Sequence, residues 1–131
     1  ICSGIYKANK DVQIILLSSP NIYADIVRLT KNLHLPYIFP SYKTESILDA
    51  AALIQNLQLI ITPDTSIVHI ASAFDIPIVS IHEQNNDSYR LFAPKSKYSK
   101  TVFSEFSDRL DGYNVDTIIK ESINLLKNHE G

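Results

Sequence analysis

Four residues whose side chains could do chemistry lie together in one short stretch of the sequence. Asp64, Thr65 and Ser66 are consecutive, and His69 follows Ser66 by three positions. Hydroxyls and free backbone N–H groups bind anions such as phosphate where they gather at a helix N-terminus. If a helix begins here, the four-residue spacing places His69 on the same side as Thr65. The stretch predicts an anion-binding site, and a plain helix cap at Asp64 or Thr65 is the alternative interpretation.

The flanking sequence predicts a strand, a helix and a second strand around these residues. Residues 57–61 form an apolar, β-branched run that is typical of a strand covered on both faces, and Pro63 ends it. Residues 77–81 form a second such run after a predicted helix over residues 65–74. The predicted buried face of that helix comprises Ile67, Ile70, Ala71 and Phe74. Ligands of open α/β sheets bind at the carboxyl ends of strands, where this stretch would lie.

Strands and helices alternate along the rest of the chain as well. Further strands are predicted at residues 12–17, 37–39 and 101–103. Further helices are predicted at residues 1–9 and from a possible cap at Asn21 to His34. A third begins at Thr44 or Ser46 and buries Ile47, Ala51 and Ile54. The C-terminal helix has an apolar face formed by Val115, Ile118, Ile119, Ser122, Ile123 and Leu126. This order predicts an α/β protein, a Rossmann-like α/β/α sandwich with a mostly parallel sheet.

Composition narrows the classes of function. The 131 residues correspond to one domain by length, and the net charge of -2 provides no electrostatic reason to bind nucleic acid or a membrane surface. No apolar run approaches the roughly 20 residues of a membrane-spanning helix. The one Cys and four His show no metal-ligand spacing, and the dinucleotide fingerprint G-x-G-x-x-G is absent, so neither a metal nor a cofactor is expected. Because the chain starts at Ile1 and has no Met, we expect it to be a piece of a longer protein.

Residues 64–77 resemble the signature of the family 9 glycosyltransferases, the lipopolysaccharide heptosyltransferases. The family pattern is Asp-Thr-Gly-x-x-His-x-Ala-x-Ala followed by a strand that a proline introduces, and here it reads D-T-S-I-V-H-I-A-S-A-F-D-I-P. Residues 43–51 are similar to the family's preceding helix, and Ala93-Pro94 to its proline-containing loop. The likeness covers most of residues 12–103 in order and spacing.

The resemblance implies the C-terminal half of a GT-B glycosyltransferase, in which two Rossmann-like domains enclose the active site. Residues 1–131 would be the nucleotide-sugar (donor) binding domain, whereas the acceptor site and the catalytic carboxylate belong to an N-terminal domain. No catalytic residue is then expected in this chain, and the family's Lys-containing motif would precede Ile1. The implied substrates are an ADP-heptose-type donor and a lipid-linked glycan of lipopolysaccharide or lipooligosaccharide. The implied location is the cytoplasm, at the inner face of the inner membrane of a Gram-negative bacterium.

The same resemblance assigns roles to individual residues. The expected donor-binding residues are Asp64, Thr65, Ser66 and His69, and the possible further donor contacts are Thr44, Ser46 and His82. Because a carboxylate repels a diphosphate, Asp64 is expected to hold the turn or to accept from a sugar hydroxyl. Ser66 and His82 stand where the family often has Gly, and a Ser that needs a positive φ would cost roughly a kcal/mol or more. A catalytically degenerate nucleotide-binding domain and a structural Rossmann-like domain therefore remain alternatives. Alanine at Thr65 or His69 is expected to weaken nucleotide binding by about tenfold or more, with little loss of folding stability.

Overall fold

The computed structural model describes residues 1–63, 65–83, 98–105 and 112–130, with side chains through residue 128. Helices and strands alternate from the first helix to the fourth strand, and every paired strand among the described residues is parallel. The fold is α/β and Rossmann-like. The elements are α1 (Cys2–Ala8), β1 (Ile14–Leu16), a 3-10 turn (Pro20–Ile22), α2 (Tyr23–Leu33), β2 (Ile38–Pro40), α3 (Ile47–Ile54), β3 (Ile60–Pro63), α4 (Ser66–Ala73), β4 (Ile78–His82), β5 (Ser99–Phe103) and α5 (Val115–Glu130). The predicted Ala93-Pro94 loop lies outside the described residues.

The chain forms two compact units, of which the first is Cys2–Ala50. Its sheet consists of β1 and β2, paired in register from Ile14 opposite Ile38. Helix α2 packs against β2. The buried apolar side chains of this unit are Ile5, Tyr37, Ile38 and Ala50.

The second unit comprises Ile1 and Ala51–Gly131. Its sheet has the order β3-β4-β5, so the two strands that flank α4 are parallel neighbours. All five residues of β4 are buried, because this strand has a neighbour on each edge and lies in the core. Helix α5 contacts β4 and β5. The core cluster here comprises Val79, Ile81, Val102, Ile118 and Leu125.

The buried face of α4 differs from the predicted one. Val68 and Ala71 are fully buried, whereas Phe74 is 43% exposed. The reason lies in how the helix ends. Asp75 adopts the left-handed conformation (φ 56°), and the N–H of Ile76 donates to the carbonyl of Ala71 at 3.0 Å. This Schellman-type ending turns the chain back, and Ile76 is buried while Phe74 is not.

Three other predicted details were wrong at element ends. Ile47 and Val115 are the first residues of α3 and α5, and they are 56% and 42% exposed, so their predicted burial was wrong. Strand β3 begins three residues later than predicted, since the N–H of Leu57 donates to Ile54 and continues the turn after α3. Asn21 caps no helix, because it lies in the 3-10 turn and accepts a hydrogen bond from Ser19.

Candidate functional site

The N-terminus of α4 begins directly beyond the carboxyl end of β3. Pro63 is the last strand residue, and Thr65 has an extended backbone (φ -137°, ψ 176°) that leads into the helix. The Oγ1 of Thr65 accepts a hydrogen bond from the N–H of Ile67 at 3.3 Å, and its carbonyl accepts one from Val68 at 3.1 Å. Thr65 is therefore the N-cap, and the predicted start of this helix is confirmed.

Two backbone donors at this helix start remain available for a ligand. The sequence predicts that the N–H groups of Thr65, Ser66 and Ile67 together face an anion. In the structure Ile67 donates to the cap, while Thr65 and Ser66 have no backbone acceptor among the described residues. These two N–H groups lie at the positive end of the helix dipole, where an anion is favoured.

The side chains around these donors are accessible to solvent. Thr65, Ser66 and His69 are all exposed, with His69 one turn into α4 and outside the core. A ligand that approaches the helix start from solvent can therefore reach the two hydroxyl groups and the imidazole ring. Asp64, the fourth predicted site residue, lies outside the described residues.

A row of hydroxyl groups crosses the sheet beneath the helix start. Thr62, Ser80 and Thr101 are direct register partners on β3, β4 and β5. Thr62 Oγ1 lies 3.4 Å from Thr65 Oγ1, and Ser80 Oγ lies 3.4 Å from Thr101 Oγ1. We call these three residues the hydroxyl row. Sequence reasoning missed it because the alignment of the three positions depends on strand register.

His82 lies at one end of this polar region. It is the last residue of β4 and only 2% exposed, so its side chain belongs to the buried part of the sheet. Its Nε2 lies 3.0 Å from Ser80 Oγ, and its ring lies 6.3 Å from the ring of Phe103. Two residues apart on one strand, Ser80 and His82 share a face of the sheet, and that geometry permits the hydrogen bond.

Thr44 and Ser46, the possible donor contacts of the first unit, have different surroundings. Ser46 Oγ accepts from the N–H of Asp49 at 3.4 Å, and an Asp49 carboxylate oxygen accepts from Ser46 at 3.3 Å. This reciprocal pair is a capping box that starts α3. Thr44 is buried, and so is the hydroxyl of Ser18, which has no hydrogen-bond partner among the described residues. Both follow the carboxyl ends of neighbouring strands, β2 and β1.

No other described feature competes with the helix start as a site. Among the described residues, no three His, Cys, Asp or Glu side chains come together as metal ligands. A shallow pocket of about 210 Å³ in the first unit is lined by Lys10 and the stacked rings of Tyr6 and Tyr37, and it includes none of the predicted site residues. No described helix has the length and apolar character to cross a bilayer.

Comparison with known proteins identifies the family. The profile of glycosyltransferase family 9 (heptosyltransferase) matches residues 6–110, which is most of the chain. The chain belongs to glycosyltransferase family 9. Among curated proteins no match was found. A solved response regulator receiver protein from Sinorhizobium medicae WSM419 is similar in fold alone, with 12% identity, a TM-score of 0.50, and coverage of 92% of this chain and 99% of that chain.

The family often has Gly where this chain has Ser66, so the backbone at Ser66 shows whether the replacement causes strain. Ser66 is the first residue of α4, and among the described residues only His34 and Asp75 have a positive φ. The φ angle at Ser66 is therefore negative and does not require Gly, so the Ser causes no conformational strain there. The same holds for His82, which is a strand residue. In this glycosyltransferase neither replacement distorts the backbone.

Proposed function

We propose that this family 9 glycosyltransferase chain binds a nucleotide-sugar donor of the ADP-heptose type, with the donor diphosphate at the N-terminus of α4. The observation that carries the proposal is the pair of available N–H groups at Thr65 and Ser66, which lie within the residues that the family 9 profile matches. They begin a helix of eight residues, directly after the carboxyl end of a parallel strand. That is the place where open α/β sheets bind ligands.

The proposed site suits the chemistry of sugar transfer. Breaking the bond between sugar and phosphate leaves negative charge on the departing nucleoside diphosphate. The N–H groups of Thr65 and Ser66, the Ser66 hydroxyl and the His69 side chain would donate to those oxygens in a fixed arrangement. The helix dipole would add about 0.3–1 kcal/mol of stabilisation, and more where the site is partly closed.

Other parts of the donor would contact other polar groups. Thr44, Ser46 and His82 are candidates, and they differ in whether their side chains already form hydrogen bonds within the protein. The side chain of Ser46 is engaged in the capping box, and His82 is buried against Ser80. Thr44 has no hydrogen bond to its side chain among the described residues, and the buried hydroxyl of Ser18 follows the neighbouring strand. Asp64 stays a candidate for holding the turn or a sugar hydroxyl.

We also propose the division of labour that the family resemblance implies. This chain would serve as the donor-binding half, and the acceptor site and catalytic carboxylate would belong to another domain of the full-length protein. The acceptor would be a lipid-linked glycan of the lipopolysaccharide type, glycosylated at the inner face of the inner membrane. The 131 residues alone would then bind donor without transferring the sugar.

Calorimetry of ADP and UDP binding to the full-length protein tests this proposal, together with a transfer assay using ADP-heptose. We expect ADP to bind, and Ser66→Ala and His69→Ala each to weaken it by about tenfold, the loss of one charge-assisted hydrogen bond. Lys120→Ala, at an exposed position of α5 in the same unit, is the matched control and should bind ADP normally.

Each outcome of that experiment decides between the alternatives. If the protein binds neither nucleotide, the helix start is only a structural cap. Binding without transfer by the full-length protein would indicate a degenerate enzyme. Normal ADP affinity in both alanine variants would move the site away from α4, and transfer by the isolated 131 residues would contradict the half-enzyme proposal.

A further inference from the structure

We propose that Thr62, a buried residue of β3, is a positioning residue for the phosphate-binding turn and acts through the side chain of Thr65. This inference rests on the proposed function, because it concerns how the same helix start is held in place. Thr62 is 6% exposed, and its Oγ1 lies 3.4 Å from that of Thr65. It belongs to the hydroxyl row and is buried.

Counting protons determines the direction of each hydrogen bond. A threonine hydroxyl has one proton to donate and two lone pairs that accept. Thr62 Oγ1 lies 3.1 Å from the carbonyl of Pro63, which can only accept, so Thr62 donates there. Its contact with Thr65 then requires that Thr65 donate to Thr62. Thr65 Oγ1 at the same time accepts the N–H of Ile67.

The one proton of the Thr65 hydroxyl is thus committed to the protein. This proton points to the sheet and one lone pair of the oxygen points to the helix, so the side chain is held between β3 and α4. Two consequences follow for a bound diphosphate. Thr65 would offer its backbone N–H and not its hydroxyl, which leaves Ser66 as the hydroxyl donor. In addition, the direction of the Thr65 and Ser66 N–H groups depends on the hydroxyl of Thr62.

The hydroxyl row supplies a control for this claim. Thr101 is the same residue type in the same row, but its Oγ1 contacts Ser80 and it lies on β5, two strands from Thr62. Removing its hydroxyl perturbs the hydroxyl row at Ser80 and leaves both side chains of the Thr62–Thr65 contact in place. If the sheet were weakened in general, both the Thr62 and the Thr101 variants would bind ADP less tightly. If positioning is lost, only the Thr62 variant would bind ADP less tightly.

The experiment replaces each hydroxyl by an isosteric methyl group in the full-length protein. Thr62→Val should raise the Kd for ADP and the KM for donor by about two- to tenfold, the effect of one neutral hydrogen bond, and should leave kcat closer to wild type. Thr62→Ser restores the hydroxyl and should restore the affinity. Thr101→Val should bind ADP like the wild-type protein.

A double-mutant cycle separates action through Thr65 from an independent effect. If Thr62 acts through Thr65, the Thr62→Val/Thr65→Ala protein should bind ADP no more weakly than Thr65→Ala alone. Additive losses of affinity, normal ADP binding by Thr62→Val, or an equal loss in Thr101→Val would overturn the inference.

The same variants distinguish failure of this inference from failure of the proposed function. The cycle comprises the wild-type protein, Thr62→Val, Thr65→Ala and the double variant. The shifts of their urea unfolding midpoints should also be non-additive, and this measurement reports the Thr62–Thr65 contact without any ligand. Coupled midpoints in a protein that binds no nucleotide would mean that the proposed function is wrong and the contact is structural. ADP binding that is sensitive to Ser66 and His69 but not to Thr62 would mean that only the inference is wrong.

Discussion

Replacing Thr65 by Ala tests the architecture of the helix start most directly. The substitution removes an Oγ1 that accepts from the N–H of Ile67 at 3.3 Å and contacts the Thr62 hydroxyl at 3.4 Å. The sequence alone suggests little loss of folding stability for this change. The structure predicts a measurable loss, because the residue is the N-cap of α4.

The magnitude follows from the geometry. Loss of an N-cap side chain costs about 0.5–2 kcal/mol, most often near 1. The 3.3 Å distance to Ile67 is longer than usual and Thr65 is exposed, so water can replace part of that bond. The partner hydroxyl of Thr62 is buried and would lose a donor, which adds to the cost. We therefore expect Thr65→Ala to lower the free energy of unfolding by about 1 kcal/mol.

Urea unfolding followed by circular dichroism provides the assay. Thr65→Ser and Thr65→Asp keep an oxygen that can cap the helix, and they should lose less than half of what Thr65→Ala loses. If Thr65→Ala were as stable as the wild-type protein, Thr65 would not act as a cap in solution. If Thr65→Ser were as unstable as Thr65→Ala, the loss would come from the methyl group, and the hydrogen-bond reasoning would be refuted.

Two further predictions concern stability elsewhere. His34 follows α2 with a left-handed backbone (φ 51°), a conformation that favours Gly. His34→Gly should therefore raise the free energy of unfolding by about 0.5–1 kcal/mol. A His34→Gly protein no more stable than His34→Ala would contradict this. Ile118 is fully buried under the three-stranded sheet, so Ile118→Ala should cost about 2–5 kcal/mol in urea unfolding. Val115→Ala, on the exposed first turn of the same helix, should cost less than about 0.5 kcal/mol, and equal losses at the two positions would refute the assigned orientation of α5.

The predictable parts of this protein are those that depend on near neighbours in the chain. Pro63 ends a strand because it has no N–H, and Thr65 caps the next helix because its hydroxyl reaches an N–H two residues ahead. The alternation of apolar runs and amphipathic stretches was enough to predict the α/β class and the parallel pairing of β3 and β4. The family motif could be read from residues 64–77 for the same reason, since its groups are consecutive.

Only the tertiary structure decided which side chains are covered and which hydroxyls meet. Periodicity marks an apolar stripe, but the backward turn after α4 determines that Ile76 is buried and Phe74 exposed. His82 is buried because β5 pairs beside β4, a contact between residues far apart in the chain. The alignment of Thr62 with Ser80 likewise requires a specific register, and a shift of one residue would turn these hydroxyls to opposite faces of the sheet.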